Sequence, residues 1–391
     1  MMISVKEALD RVLALCPVLE TEEVLLTEAA GRVLARPVTA LRDQPPFAAS
    51  AMDGYAVIGL EAEPDAMFKV IGEAAAGHGF SGTLKPGQTV RIFTGAPIPE
   101  GATRVVIQED VTRRSDVITL RQSLEIKNFI RPVGADFKSG DKIDAPRLLS
   151  PNDIALLASM NIARVPVRRR PDIALLATGD ELVMPGETPG PDQIIASNGF
   201  GLKALLDAAG ATARLLPIAR DSEASLRTAF DLAWGADLIV TIGGASVGDH
   251  DLVAQVAAKL GMERAFYKVA MRPGKPLMAG RIGSSTMIGL PGNPVSSMVC
   301  GHIFLLPALR AMLGFAPGPL PRQTARLTTA LPANGAREHY MRARLGGREI
   351  TPFERQDSAL LTVMADANAL LVRPPHDPAR APGEALAFLP L

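Results

Sequence analysis

Ile173-Ala174-Leu175-Leu176-Ala177-Thr178-Gly179-Asp180-Glu181 is the stretch from which the rest of the chain can be read. Its five apolar residues do not alternate with polar ones, so both faces of the strand they form are buried. The change at Thr178 to a hydroxyl, a glycine and two acids marks the carboxyl end of that strand. Downstream, Ser197 or Asn198 caps a helix carrying Leu202, Leu205 and Leu206, and Gly210 ends it. Ala213–Ala219 reads as a strand leading to Arg220-Asp221-Ser222, followed by a helix from about Glu223 to Trp234. Leu238–Ile242 is the next strand, then Gly243-Gly244 and a helix from about Asp251 to Leu260. Further strands are expected at Arg264–Val269 and Thr286–Leu290, and Pro294 opens a long helix through Leu313. Apolar strands separated by amphipathic helices predict a three-layer α/β/α domain with a mostly parallel sheet.

Upstream the texture differs. Ser4-Val5-Lys6-Glu7 has the form of a capping box, and Val5, Leu9, Val12 and Leu13 follow at helical spacing to about Cys16. A short helix is expected from Thr27 to Ala30, stopped by Gly31. Between Phe68 and about Arg131, β-type runs (Phe68–Ile71, Thr89–Phe93, Arg104–Gln108, Val117–Leu120) alternate with Gly/Pro turns, predicting a small inserted β domain. Pro151–Ala158 reads as a helix started at Ser150 or Asn152. Arg168-Arg169-Arg170-Pro171 reads as a boundary. Beyond Gly314, three prolines precede a C-terminal run of β-type segments.

A chain of 391 residues exceeds what one core organises, and 47% apolar content is ample for several. Forty-one basic and 41 acidic side chains cancel, which argues against nucleic acid or an anionic membrane as the main partner. Cys16 and Cys300 lie in apolar helical patterns and read as free thiols of a reducing compartment. Lys6, Glu7, Asp10 and Arg11 interrupt any signal-peptide core, and the apolar stretch Val295–Leu313 contains His302, Pro307 and Arg310, so it reads as a buried helix. The expectation is a soluble, cytoplasmic protein.

In an open parallel sheet, ligands bind beyond the carboxyl ends of the strands. The polar and glycine-rich segments fall there: Thr178-Gly179-Asp180-Glu181, Arg220-Asp221-Ser222, Gly243-Gly244-Ala245-Ser246-Val247-Gly248-Asp249-His250-Asp251 and Pro291-Gly292-Asn293-Pro294. Gly243 and Gly244 let backbone amides approach an anion, and Ser246 and Gly248 extend the donor surface. Glu181, Asp221 and Asp251 offer oxygen ligands to Mg²⁺, although Asp221 and Asp251 taken singly read as helix caps. Lys268, Arg272 and Lys275, three cations within eight residues, suit an oxyanion or, equally, a solvated strand edge. Lys268 and Arg272 are expected on one side of an extended segment. In the N-terminal half, the residues alone make Pro45-Pro46-Phe47-Ala48-Ala49-Ser50-Ala51-Met52-Asp53-Gly54-Tyr55-Ala56 a loop with Asp53 in a turn, and Arg91-Ile92-Phe93-Thr94-Gly95-Ala96-Pro97 a strand ending in a hydroxyl.

Ser50-Ala51-Met52-Asp53-Gly54-Tyr55-Ala56 resembles the signature of the MoeA and gephyrin E-domain family. Thr94-Gly95-Ala96-Pro97, Thr178-Gly179-Asp180-Glu181-Leu182, Gly243–Gly248, Arg272-Pro273-Gly274-Lys275-Pro276 and Gly289–Pro294 match it in order along essentially the whole chain. The resemblance implies a four-part subunit. Its parts would be a discontinuous helical linker and dimerisation region (1–45 and 136–170), an inserted β domain (46–135), a molybdopterin-binding α/β domain (171–315) and a C-terminal β-barrel-like domain (316–391). It implies a homodimer in which Asp53 and Thr94 of one subunit face the crevice of the other, where Glu181, Asp221, Asp251, Lys268 and Arg272 act, with Asp136 a further acid of the linker. Adenylated molybdopterin would lie on Thr178, Gly179, Asp180, Gly243, Gly244, Ser246, Gly248, Lys275, Pro291, Gly292, Asn293 and Pro294. Mg²⁺ on Glu181, Asp221 and Asp251 would assist release of AMP, and molybdate would sit near Lys268 and Arg272. Implied partners are a molybdopterin adenylyltransferase and apo-molybdoenzymes or their chaperones. The chain departs from the family pattern at Ala48-Ala49, where Asp-Asn is frequent, at Arg272, often lysine, and at Ala135, often an acid. Rival readings are an adenylyltransferase-like enzyme, which shares the α/β domain, and a gephyrin-like scaffold.

Overall fold

A computed structural model of the chain describes residues 2–244 and 252–391. The chain divides into two compact units, one comprising the residues up to Glu22 together with Arg168–Leu391, the other Glu23–Val167.

In the first unit, six strands run in the order Thr212–Leu215, Asp172–Ala177, Leu238–Ile242, Ser285–Leu290, Met278–Ile282, Glu263–Tyr267. The first four are parallel, with Ile173 opposite both Ala213 and Leu238, and Leu238 opposite Thr286. The last two are antiparallel, so the strand expected at Arg264–Val269 is an antiparallel edge that ends at Tyr267. Its neighbour Met278–Ile282 escapes the hydropathy reading because it is built around Gly280, where a Cβ would fall 2.4 Å from the Glu263 carbonyl oxygen. Pro217 shortens the strand expected at Ala213–Ala219, since it has no amide for the ladder, and only a bridge between Thr178 and Ala219 continues the pairing.

Helices Glu223–Ala233 and Leu252–Lys259 bury Leu226, Phe230, Val253 and Val256 against one face of the sheet. Asn198–Ala208 and the long helix Pro294–Met312 pack together against the other strands. That long helix has the length and apolarity of a membrane span, yet most of its side chains are buried within the unit, as expected. Pro307 lacks the amide that would reach back one turn, and the ladder widens to a π-turn at Gly301–Leu305 just before it. The N-terminal helix Val5–Leu15 belongs to this unit: Arg281 and Thr286 donate to its Leu15 carbonyl. Ser4 Oγ accepts from the Glu7 amide at 3.1 Å, but the Glu7 carboxylate pairs with Arg11 at 2.6 Å instead of reaching back, so only half of the expected capping box forms. Burial pushes the Cys16 thiol up to about 12 and raises that of fully buried Cys300, leaving both as unreactive thiols at neutral pH.

Residues from Gln323 onward form a closed five-stranded barrel: Glu338–Gly346, Glu349–Pro352, Gln323–Leu327, Ala385–Pro390 and Ala369–Arg373, the last pairing back to the first. Leu327, Ile350, Leu371 and Phe388 fill it. Beside this core, Asp377, 5% exposed, accepts from Arg373, 2% exposed, and from Arg380 at 2.5 Å. Hydrogen bonds from Arg380 and Arg373 hold the Asp377 carboxyl below the ordinary carboxylate range against the cost of its burial. A depressed folded-state pKa adds stability that is present above the unfolded value and lost as pH falls through the folded one. Asp377→Ala leaves the Arg373 guanidinium buried without its counter-charge. It is therefore expected to cost about 3–5 kcal/mol at neutral pH, read by urea unfolding, with the gap to wild type closing toward acid pH.

The second unit holds a six-stranded sheet in the order Arg104–Ile107, Gly54–Val57, Gln88–Ile92, Met67–Ala74, Val117–Leu120, Val111–Arg114. Four of these strands match the β-type runs of the sequence. Gly54–Val57, by contrast, was expected to be loop and is a fully buried central strand. A second core gathers Leu34, Phe137, Leu149, Leu157 and Val165 under helix Pro151–Ser159. Ser150 and Asp153 form the capping box of that helix. The helix expected at Thr27–Ala30 is a single 3₁₀ turn, Leu26–Glu28.

Candidate active site

The carboxyl ends of the parallel strands open into a cleft of about 540 Å³, lined by Thr178, Glu181, Gly243, Gly244, Pro291, Gly292, Asn293 and Pro294 together with Ile194–Asn198, Pro276 and Ala359. Three of the four loops singled out in the sequence thus share one cavity. The fourth, Arg220-Asp221-Ser222, buttresses it. Arg220 Nη1 donates to the carbonyls of Asp180 and Leu182 at 3.1 and 3.2 Å, and the Asp221 amide donates to Asp180 Oδ1 at 3.2 Å. Ser222, not Asp221, caps the following helix through the Ser225 amide, so the capping role considered for Asp221 does not hold and its carboxylate is left for other work. Ser246, Gly248 and Asp251 lie outside the described residues.

The glycines are required by geometry. Gly243 and Gly244 have φ of +93° and +65°, and a Cβ on Gly243 would fall 2.8 Å from the Thr178 carbonyl oxygen. Thr178 is 3% exposed and its Oγ1, close beneath Gly244, has no hydrogen-bond partner among the described residues. A buried hydroxyl under a glycine turn at the cleft gives it a polar floor able to donate to a ligand. The Glu181 carboxylate folds back over Gly179, whose φ is +145°, and lies 2.2 Å from where a Cβ would stand there. No hydrogen bond or ion pair among the described residues engages this carboxylate. The described residues bring no three of His, Cys, Asp and Glu together around a metal position. Asn198, at the start of its helix, was read only as a possible cap. Its Nδ2 donates to the Gly292 carbonyl at 2.7 Å, locking the Pro291–Pro294 turn to the opposite wall.

The cations divide. Lys268 has φ +77°, which breaks the extended segment expected between it and Arg272, and its Nζ lies over the Tyr267 ring at 5.2 Å. Arg272 lies in a short strand paired with Glu338-His339 of the barrel, and Lys275 is exposed in the turn that follows. The sequence reading missed Arg342. It is completely buried, its Nη2 donates to the Asp357 carbonyl at 2.9 Å, and its Nε and Nη1 have no partner among the described residues. Burial lowers its pKa, with repulsion from Arg272 adding to the effect and the Asp357 charge opposing it. The Asp357-Ser358-Ala359 segment to which Arg342 donates reaches the cleft wall, since Ala359 lines the cleft and Ser358 Oγ accepts from Asn293 Nδ2 at 3.1 Å. Nearby His339 is 8% exposed with an unpartnered Nε2, and burial together with Arg272 and Arg342 holds it down at about 4, hence neutral. No short motif announces Arg342, which stands on the face of its β-type run opposite to the core-filling Ala343.

In the second unit Asp53 and Thr94, 41 residues apart, meet directly. The Thr94 amide and hydroxyl both donate to Asp53 Oδ1, at 2.7 and 2.8 Å, leaving Oδ2 open. These bonds, the amide first, together with the charge of Arg91, hold the Asp53 carboxyl below its ordinary range. The Ser50 and Ala96 segments are stitched by Ser50 N–H to Ala96 O and Gly95 N–H to Ser50 O, both 2.9 Å. Asp136 is exposed, with its amide bonded to the Gln44 carbonyl, and is not part of the Asp53–Thr94 contact.

Residues 3–161 match the family model of the MoeA N-terminal region (domains I and II), residues 174–311 that of a probable molybdopterin binding domain, and residues 324–391 that of the MoeA C-terminal region (domain IV). The chain is 36% identical over 353 residues to a molybdopterin molybdenumtransferase of Nostoc sp., covering 86% of this chain and 81% of that one. It is 32% identical over 388 residues to one of Bacillus subtilis, covering 95% and 90%. A crystal structure of a molybdopterin biosynthesis MoeA protein from Pyrococcus horikoshii superposes with a TM-score of 0.86 at 26% identity, over 100% of both chains.

Proposed function

The chain belongs to the MoeA family of molybdopterin molybdenumtransferases, and from that premise we propose that it inserts molybdenum from molybdate into adenylated molybdopterin with release of AMP. The observation that carries this reading is the strand-end cleft, where Thr178, Glu181, Gly243, Gly244 and the Pro291–Pro294 turn meet. The pterin and its pyrophosphate lie against the glycine turn, whose amides and orphan Thr178 hydroxyl supply donors. Molybdate is held near Arg272 and Lys275, and its binding draws on Nε and Nη1 of the buried Arg342, which have no partner among the described residues. Lys268 contributes to the surrounding positive field.

The carboxylates of Glu181 and Asp221, without partners among the described residues, would hold Mg²⁺ through oxygen together with Asp251, which lies outside the described residues, and the ion would neutralise the pyrophosphate. Insertion replaces oxygen of the oxyanion by the two dithiolene sulfurs, and the departing oxygen leaves as water, taking up the two thiol protons. Asp53, ionised and with Oδ2 open, is suited to relay those protons. The protein acts as a homodimer in which the Asp53–Thr94 pair of one subunit serves the cleft of the other. A molybdopterin adenylyltransferase supplies it, and apo-molybdoenzymes or their chaperones receive its product.

An adenylyltransferase-like reading accounts for the α/β domain alone and leaves the Asp53–Thr94 pair without a role. A scaffold has no need of a buried orphan arginine beside a polar cleft. The test combines purified protein, adenylated molybdopterin, molybdate and Mg²⁺, and follows AMP release together with reconstitution of a cofactor-free molybdoenzyme. Both products appearing together is the expected result. Tight pterin binding without either would replace the proposal by a carrier or scaffold.

A further inference from the structure

Arg91, whose charge bears on Asp53, is held on several sides at the corner that carries the Asp53–Thr94 pair. It lies opposite Tyr55 across the pair of central strands Gly54–Val57 and Gln88–Ile92. Its guanidinium carbon stands 5.0 Å from the centroid of the Tyr55 ring and 4.9 Å from that of Phe93. The fork is held as firmly in its own plane, since Nη1 donates to the Gly54 carbonyl at 3.3 Å and Nη2 to Gln108 Oε1 at 2.7 Å. The Gln108 backbone N–H in turn donates to the Asp53 carbonyl at 3.2 Å.

These contacts fall on every segment that carries the Asp53–Thr94 pair. Gly54 and Tyr55 follow Asp53, Phe93 precedes Thr94, and Gln108 holds the Asp53 backbone. Gly54 cannot be replaced by a bulkier support, because a Cβ there would stand 2.0 Å from the Val106 carbonyl oxygen. The side chain that braces this corner therefore comes from the neighbouring strand. A planar, always-charged fork between two rings suits that task, and lysine lacks the plane and the second donor.

We propose that Arg91 is a positioning residue for the molybdenum-insertion reaction, fixing the strand ends that present Asp53 and Thr94 and keeping the open oxygen of Asp53 in place. This rests on the function proposed above. The groups facing Asp53 among the described residues are Thr94, through its amide and hydroxyl, and Arg91, the charged one; Glu109 is turned to Gln108 Nε2. Removing Arg91 removes a charge that favours the Asp53 carboxylate, so the Asp53 midpoint moves up toward the ordinary carboxylate range.

The test compares wild type, Arg91→Met and Arg91→Lys by insertion kinetics across pH and by ¹³C-carboxyl NMR titration of Asp53, assigned with Asp53→Asn. Arg91→Met is expected to lower kcat about tenfold or more, to leave KM for pterin and molybdate within about twofold, and to raise both the acid limb of the rate profile and the NMR midpoint. Arg91→Lys is expected to restore the midpoint while recovering only part of kcat. An Arg91→Met protein with wild-type kcat and an unmoved Asp53 midpoint overturns the proposal. So does a kcat loss that tracks loss of folded protein in thermal unfolding. If the wild-type protein itself inserts no molybdenum, the functional reading falls. The NMR midpoint then still decides whether Arg91 governs Asp53.

Discussion

Replacing Glu181 by glutamine is expected to lower the rate of molybdenum insertion by about 100- to 1000-fold while leaving the protein folded. The substitution keeps the shape of the side chain and removes only its charge. Its carboxylate projects into the cleft, folded over Gly179, and engages no cation or donor among the described residues. A surface charge without intramolecular partners contributes within about ±0.5 kcal/mol to stability, so thermal unfolding should be unchanged. If the carboxylate holds Mg²⁺ against the pyrophosphate, raising the Mg²⁺ concentration should recover part of the AMP release in the variant. Glu181→Gln with undiminished AMP release at ordinary Mg²⁺ would remove Glu181 from the site. The opposite pattern, lost activity with lost fold, would mean that its partner is structural and comes from outside the described residues.

What the sequence made legible was set by periodicity and by local chemistry. Ile173–Ala177 and Leu238–Ile242 announce themselves because both faces of those strands are apolar. The loops that follow are legible because glycines and acids are conspicuous after such runs, and those loops meet in one cleft. The misses have physical causes as well. Gly54–Val57 reads as loop because it opens with a glycine that strand propensity disfavours, yet the 2.0 Å approach of Val106 demands it. Lys268 and Arg272 count as neighbours on one face only if the backbone stays extended, and a φ of +77° at Lys268 breaks that condition. Arg342 lies 70 residues beyond Arg272 in a different domain, and its relation to the cleft arises from the pairing of Met271–Arg272 with Glu338-His339 and from the Asp357–Ala359 segment. A contact made by tertiary pairing leaves no trace in local spacing.

Arg342 is for that reason the sharper test of the oxyanion site. A guanidinium with no exposed surface and with two nitrogens lacking partners among the described residues carries a desolvation cost that the Asp357 charge offsets only in part and the like charge at Arg272 adds to. The oxyanion proposed above would supply the missing partners, and sites of this kind trade stability for function. Two results should therefore move in opposite directions in Arg342→Met, which keeps an unbranched apolar stem in the same space. Without molybdate the variant is expected to be at least as stable as wild type, and up to about 1–4 kcal/mol more so, as when buried charges give way to apolar groups. Its KM for molybdate is expected to rise about 100-fold, equivalent to about 2.7 kcal/mol and within the range for loss of one partner of a buried charged pair. Molybdate should raise the unfolding temperature of the wild type by mass action and leave that of the variant unmoved at the same concentration. Arg342→Ala would open a cavity and confound the first result, which is why methionine is the substitution of choice. A methionine variant that is less stable than wild type and still binds molybdate with wild-type affinity would make Arg342 a structural arginine, with Arg272 and Lys275 left to hold the oxyanion alone.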